Sequence, residues 1–194
     1  MSILDSWKEL PFIILDSGLA SELEKGGYDI DNPLWSASVL VEAPEAISAV
    51  HMDYLKAGAD IITTASYQAT IPGLVKSGYS LNEARDIIAR SVRIAREAVS
   101  IFMDSEDYDV SMPVPLVAGS AGSYGAYLAD GSEYRGDFSL TGGEFQDFHR
   151  GRLEVLAESG ADIIAFETIP SYEEAAAIAA LMDGYPHIEY WISF

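Results

Sequence analysis

Three apolar runs in this chain end in polar groups able to do chemistry. Phe12 to Leu15 ends at Asp16-Ser17-Gly18. The run from Asp60 ends at Thr63 and Thr64, followed by Ser66, Tyr67 and Gln68, and the run from Asp162 ends at Glu167 and Thr168. If these ends converge, two carboxylates and a hydroxyl meet. Such a group suits an ammonium ligand, whose three donors two carboxylates can share. It also suits acid–base work if one carboxyl is pushed above its ordinary pKa. A purely structural reading competes with both: Asp16 caps the next turn and Glu167 pairs with an arginine.

Other residues give weaker signals. Gly119, Gly122 and Gly125 recur at every third position in Gly119-Ser120-Ala121-Gly122-Ser123-Tyr124-Gly125. This is neither the dinucleotide fingerprint nor a P-loop. The glycines are expected to let backbone approach a ligand or a neighbouring loop. The segment continues for about twenty residues through Asp130, Tyr134, Arg135 and Asp137 to the next helix, a length that usually signals function. His51 and His149 fall inside helices, without partner ligands nearby, and read as structural. His187 falls in a turn. Trp35, within Asn32-Pro33-Leu34-Trp35-Ser36, walls a pocket or packs on a rim.

The elements that must position these groups alternate. Ala57-Gly58-Ala59-Asp60-Ile61-Ile62 and Ser159-Gly160-Ala161-Asp162-Ile163-Ile164 repeat one pattern. In each, a helix ends at a glycine, which tolerates a left-handed cap, and Ile-Ile opens a strand buried on both faces. Strands are expected at 12–15, 60–66, 115–119, 162–167 and 189–194. Helices are expected from Pro44 to Lys56, from an N-cap at Asn82 through Val99, from Thr141 through Leu156, and over Tyr172–Met182. Thr141 with Glu144, and Ser171 with Glu174, read as capping boxes. Right-handed crossovers then give a parallel sheet. A flavodoxin-like sheet would finish with a covering helix. Nothing follows Phe194, so the expected fold is a parallel (β/α)8 TIM-type barrel, truncated after about the fifth strand, with residues 1–194 as a single domain. A complete barrel takes roughly 250 residues. Open edges at the first and fifth strands invite self-association.

Composition excludes several classes. Thirty-one acidic against eleven basic residues give a net charge of −20, which disfavours nucleic acid and anionic membrane surfaces. The chain has no cysteine, so it offers neither disulfides nor a thiolate metal site. Met1 to Asp5 does not open a signal peptide, and a cytoplasmic protein is expected.

Together the motifs resemble the homocysteine S-methyltransferase family, in its branch that uses S-methylmethionine or S-adenosylmethionine. They are Leu15-Asp16-Ser17-Gly18 with Leu23-Glu24, Pro33-Leu34-Trp35-Ser36-Ala37, Ala57 to Thr64 with Ser66-Tyr67-Gln68, Gly125 to Gly136, and Phe166-Glu167-Thr168-Ile169-Pro170. The resemblance spans nearly the whole chain in order. It implies a homocysteine-binding barrel in which Asp16 and Glu167 hold the amino group, Thr64 contacts the amino acid and Tyr67 lines the pocket. It implies zinc, which makes the thiol a thiolate that attacks the methyl of a sulfonium donor and yields methionine. The family's zinc ligands are three cysteines from later strands. The resemblance therefore assigns this chain no metal ligand and no catalytic residue, and these 194 residues alone are expected to transfer no methyl group. Two alternatives stay open: a non-catalytic half-barrel, remnant or assembly module, and a different barrel enzyme using Asp16 and Glu167 as an acid–base pair.

Overall fold

The repeated Gly-Ala-Asp-Ile-Ile segment does the same structural job twice. In the computed structural model, which describes residues 7, 10–28 and 36–194, each copy joins a helix to a strand of one parallel sheet. Asn32, Pro33, Leu34 and Trp35, and Met1 to Asp5, lie outside the described residues. The described elements run α1 (Leu19–Lys25), α2 (Ser36–Glu42), α3 (Pro44–Lys56), β1 (Ile61–Thr63), α4 (Ile71–Lys76), α5 (Leu81–Met103) and β2 (Leu116–Gly122). They continue with α6 (Tyr124–Leu128), α7 (Gly142–Glu158), β3 (Ile163–Glu167), α8 (Tyr172–Met182) and β4 (Glu189–Ile192).

Helices α3 and α7 both end two residues before a left-handed glycine, Gly58 at φ +97° and Gly160 at φ +91°. The aspartate two residues on then latches the neighbouring chain. Asp60 Oδ2 accepts from Ile14 N, and Asp162 Oδ2 accepts from Val117 N, each at 2.8 Å. Both aspartates also donate their own backbone N–H to that residue's carbonyl, again at 2.8 Å. Each latch thus adds a rung below the first pair of its ladder.

The sheet order is β1-β2-β3-β4, all parallel. The expected first strand, Phe12–Leu15, is reduced to a single parallel bridge from Leu15 to Ile61. It has a neighbour on one side only among the described residues. Its apolar side chains stay open, from Phe12 at 67% exposure to Ile13 at 39%. The expected fifth strand ends at Ile192 and is half-buried, whereas every residue of β2 is buried. Strand β2 runs three residues past the expected Gly119, so Ser120, Ala121 and Gly122 are strand and not loop. The strand expected over 60–66 is shorter, Ile61–Thr63.

Helix α5 is capped by Ser80 and not by Asn82. Ser80 Oγ accepts from Glu83 N while Glu83 Oε2 accepts from Ser80 N, a reciprocal box that leaves Asn82 inside the helix. The Thr141–Glu144 box forms as expected. Sequence periodicity missed the short helices α1, α2, α4 and α6, each of seven residues or fewer.

Side-chain alternation divides the sheet into two faces. Ile62, Val117, Ile164 and Phe166 join the large core with residues of α3, α5, α7 and α8. Ile61, Leu116, Ala118, Ile163 and Ala165 form a small inner cluster with Trp7, to which none of these helices contributes. Among the described residues, helices therefore cover one face only. A doubly wound sheet carries them on both, so the one-sided cover matches the wall of a barrel and not a doubly wound sheet. No helix among the described residues is long and apolar enough to cross a membrane.

The latch turn is testable by substitution. A Cβ at Gly160 would meet nothing within 4 Å, so Gly160→Ala isolates the backbone strain of its positive φ. It is expected to destabilise by about 1–2 kcal/mol in urea denaturation. Gly142, equally open but in the helical region, serves as the contrast. Gly142→Ala is expected to stabilise by about 0.4–1 kcal/mol. Equal effects at both positions would remove the case for a strained cap.

Candidate functional site

Continuing the inner-face alternation to the carboxyl ends of the strands replaces apolar residues with polar ones. Two residues past Ala118 comes Ser120, and two past Ala165 comes Glu167. These ends enclose a cavity of about 320 Å³ that Asp16, Thr63, Thr64, Tyr67, Ser120, Glu167 and Thr168 help to line. All four residues singled out from the sequence, Asp16, Thr64, Tyr67 and Glu167, are there. Among the described residues, no lysine, arginine or histidine lines the cavity.

Asp16 is held by one neighbour. Its Oδ2 accepts from Thr63 N at 2.7 Å, and Thr63 Oγ1 sits 3.1 and 3.2 Å from its two oxygens. It does not cap α1, whose N-cap is Gly18 with no side-chain bond. Burial dominates its electrostatics and raises its pKa to about 7 against the lowering effect of the Thr63 bonds, with the Glu167 charge adding to the rise. Burial also raises the pKa of Glu167, opposed by a hydrogen bond from Ser120.

That bond ends a chain of hydroxyls. Ser120 Oγ donates to Glu167 Oε2 at 2.7 Å, and Ser66 Oγ donates to Ser120 O at 2.7 Å. Thr64 Oγ1 lies 2.6 Å from Ser66 Oγ and accepts from Ser120 N at 2.9 Å. Since the Ser66 proton goes to Ser120 O, the Thr64 proton goes to Ser66. Thr64 lines the cavity with its donor already committed. Ser120 was missed in the sequence because the glycines around it suggested a loop.

Tyr67 forms one wall, and burial raises the pKa of its phenol, with Thr168 alongside opposing the rise. Thr168 adopts φ +56°, a left-handed conformation that is costly for a β-branched residue. Its N–H donates to Ser193 Oγ at 3.3 Å, so the end of β3 is tied to the end of β4. Strain held at such a point is typical of sites that must present a side chain in one orientation.

The glycines of the 119–125 segment let chain approach chain. A Cβ at Gly122 would lie 2.7 Å from Tyr67 O, and one at Gly125 2.5 Å from Glu133 N. Asp130, Tyr134, Arg135 and Asp137 do not line the cavity: Asp130 accepts from Ser132 N in a turn, and Arg135 pairs with Asp137 at the surface. The expected long loop contains α6 and a 3-10 turn over Ser132–Tyr134. His51 is fully buried with both ring nitrogens unpartnered, and burial lowers its pKa to about 4. His187 is exposed, as the sequence suggested. The Ser171–Glu174 box is half-formed. Ser171 Oγ accepts from Glu174 N, but the Glu174 carboxylate turns inward to His149.

Folded Asp16 keeps its proton up to about pH 7, while the unfolded chain loses it near 3.8. The unfolded state therefore binds fewer protons between those values, and the Asp16 contribution to stability falls as pH rises through that window. The stability difference between wild type and Asp16→Asn, from urea midpoints, should change with pH in that sense, and a pH-independent difference would count against a protonated Asp16. Thr168→Gly removes the left-handed penalty at φ +56° and is expected to stabilise by about 1 kcal/mol. A destabilised variant would show that the strain is not real.

The chain matches the homocysteine S-methyltransferase family model over residues 13–194. It is 48% identical to homocysteine S-methyltransferase YbgG of Bacillus subtilis, over 99% of this chain and 60% of that protein. It is 52% identical to selenocysteine Se-methyltransferase of Brassica oleracea, over 94% of this chain and 55% of that one. The metallated form of the homocysteine methyltransferase MmuM from Escherichia coli superposes with a TM-score of 0.92 at 45% identity, covering 98% of this chain and 66% of that one. The chain thus spans 55 to 60% of the length of these two curated relatives. With a match that runs from the latch-bearing edge through β4 and takes in both carboxylates of the cavity, this chain belongs to the homocysteine S-methyltransferase family.

Proposed function

We propose that this chain forms the amino-acid-holding part of a homocysteine S-methyltransferase barrel, which transfers a methyl group from S-methylmethionine or S-adenosylmethionine to homocysteine and yields methionine. One observation carries the reading: two largely buried carboxylates line one cavity with no basic side chain beside them among the described residues. A cation of amino-acid size relieves that arrangement. The ammonium of homocysteine donates to Asp16 and Glu167, whose orientations Thr63 and Ser120 fix. Tyr67 closes one wall. Thr64 acts through Ser66 and Ser120, since its hydroxyl proton is already used.

The same pair would serve acid–base chemistry, and the Asp16 pKa near 7 suits it. Family membership favours the ammonium role. The family's zinc is a different matter. The sequence has no cysteine, and no group of three or more His, Asp or Glu among the described residues could hold a metal ion. The residues present do not fit the metal, and we derive no step through it. The exposed apolar edge at Phe12–Leu15 fits a further barrel strand beside it. We assign that position to the part of the barrel that the longer relatives possess, and, in its absence, to self-association.

Isothermal titration with homocysteine tests the reading. Asp16→Asn is expected to weaken binding about 10- to 100-fold, the range for one charge-assisted hydrogen bond. Because ammonium binding favours ionised Asp16, wild-type affinity should rise with pH towards 7 with release of a proton, read from the dependence of the heat on buffer ionisation. The thiol acid 4-mercaptobutanoate, which lacks the amine, should bind at least tenfold more weakly than homocysteine. Equal affinity for the two thiols would sink the assignment.

A further inference from the structure

Behind the Tyr67 wall, three ionisable side chains are buried together. His149 and Arg152 lie on α7 and Glu174 on α8, each 1% exposed or less. Glu174 Oε1 lies 2.8 Å from His149 Nε2 and accepts from Tyr124 N at 2.7 Å. Arg152 Nη2 lies 3.3 Å from His149 Nδ1. A guanidinium only donates, so Nδ1 is the bare nitrogen and Nε2 carries the proton given to Glu174. His149 is therefore neutral, in keeping with the lowering of its pKa by burial. Burial lowers Arg152 only to about 10, so it stays cationic at neutral pH.

The two charges reach outward to different parts of the site. Arg152 Nη1 donates to Tyr67 O at 2.9 Å, and Nη2 donates to Gly122 O. Tyr67 O also accepts from Gly122 N at 3.0 Å, so one carbonyl is held by two donors. At the other end, Glu174 holds the first residue of α6. A buried charge pair is rarely the cheapest way to fill a core, since apolar residues of like volume do as well or better. The pair's distinguishing product is the fixed position of Tyr67.

We propose that Glu174, His149 and Arg152 form a charge-balanced positioning relay, with Arg152 a positioning residue that sets the Tyr67 wall for amino-acid binding without touching the ligand. The proposal rests on the reading of the cavity as a homocysteine site.

Stability and affinity separate the relay from mere scaffolding. In the intact protein, Arg152→Met and Glu174→Gln each strand one buried charge and should lower the urea midpoint sharply. The double variant removes both charges and should regain most of that midpoint. Its Kd for homocysteine, by titration calorimetry, should stay at least tenfold weaker, because Tyr67 O has lost its side-chain donor. A double variant that recovers both midpoint and Kd overturns the proposal. Arg152→Lys keeps the charge and loses the fork, so it serves if the double variant does not fold. Its Kd should weaken at least threefold, and a wild-type Kd overturns the proposal. If wild-type protein binds no homocysteine, the cavity reading fails instead. The relay is then judged by the carbonyl ¹³C shift of Tyr67, which should move in Arg152→Lys and whose constancy overturns it.

Discussion

Two carboxylates that line one cavity repel each other when both are ionised, and burial weakens the screening between them. Asp16 and Glu167 meet that condition with no cationic side chain alongside among the described residues. Every other feature at the strand ends reads as a response to it. Thr63 and Ser120 supply hydrogen bonds that oppose the rise in pKa without cancelling the charge. A permanent arginine would neutralise the pair and occupy the volume a ligand needs. On the proposed reading, the electrostatic deficit is what an ammonium ligand would relieve, and the sheet keeps the two groups close despite their repulsion.

Strand ends can do this because parallel pairing fixes register. Ser120 pairs with Ala165 and Gly122 with Glu167 in the β2–β3 ladder, so a one-residue slip would turn Glu167 away from the inner face. Core packing resists the slip, since Ile164 and Phe166 would leave the helix-covered side. The geometry of the cavity is thereby linked to the burial of residues on the opposite face of the sheet.

Much of this was legible in the sequence, for physical reasons that differ by element. The Gly-Ala-Asp-Ile-Ile copies could be read because a left-handed cap and a doubly buried strand each restrict residue type. Asp16 and Glu167 could be placed because strand ends in parallel folds face one side. Ser120 could not, since a glycine-rich strand and a glycine-rich loop look alike until Leu156 and Tyr67 are seen packed over Gly119 and Gly122. Glu174 was misread for a related reason. Its spacing from Ser171 fits a capping box, and only the tertiary neighbours His149 and Tyr124 draw its carboxylate inward. Short helices such as α4 and α6 have too few turns to show a period.

Asp60 and Asp162 grip main chain: the amide of Ile14 in one case and of Val117 in the other. A grip on main chain makes no demand on the neighbour's side chain. Each repeat can therefore be copied, or its neighbour mutated, without a matching change across the seam. A ring assembled from such units can diversify its rim one loop at a time while its wall stays fixed.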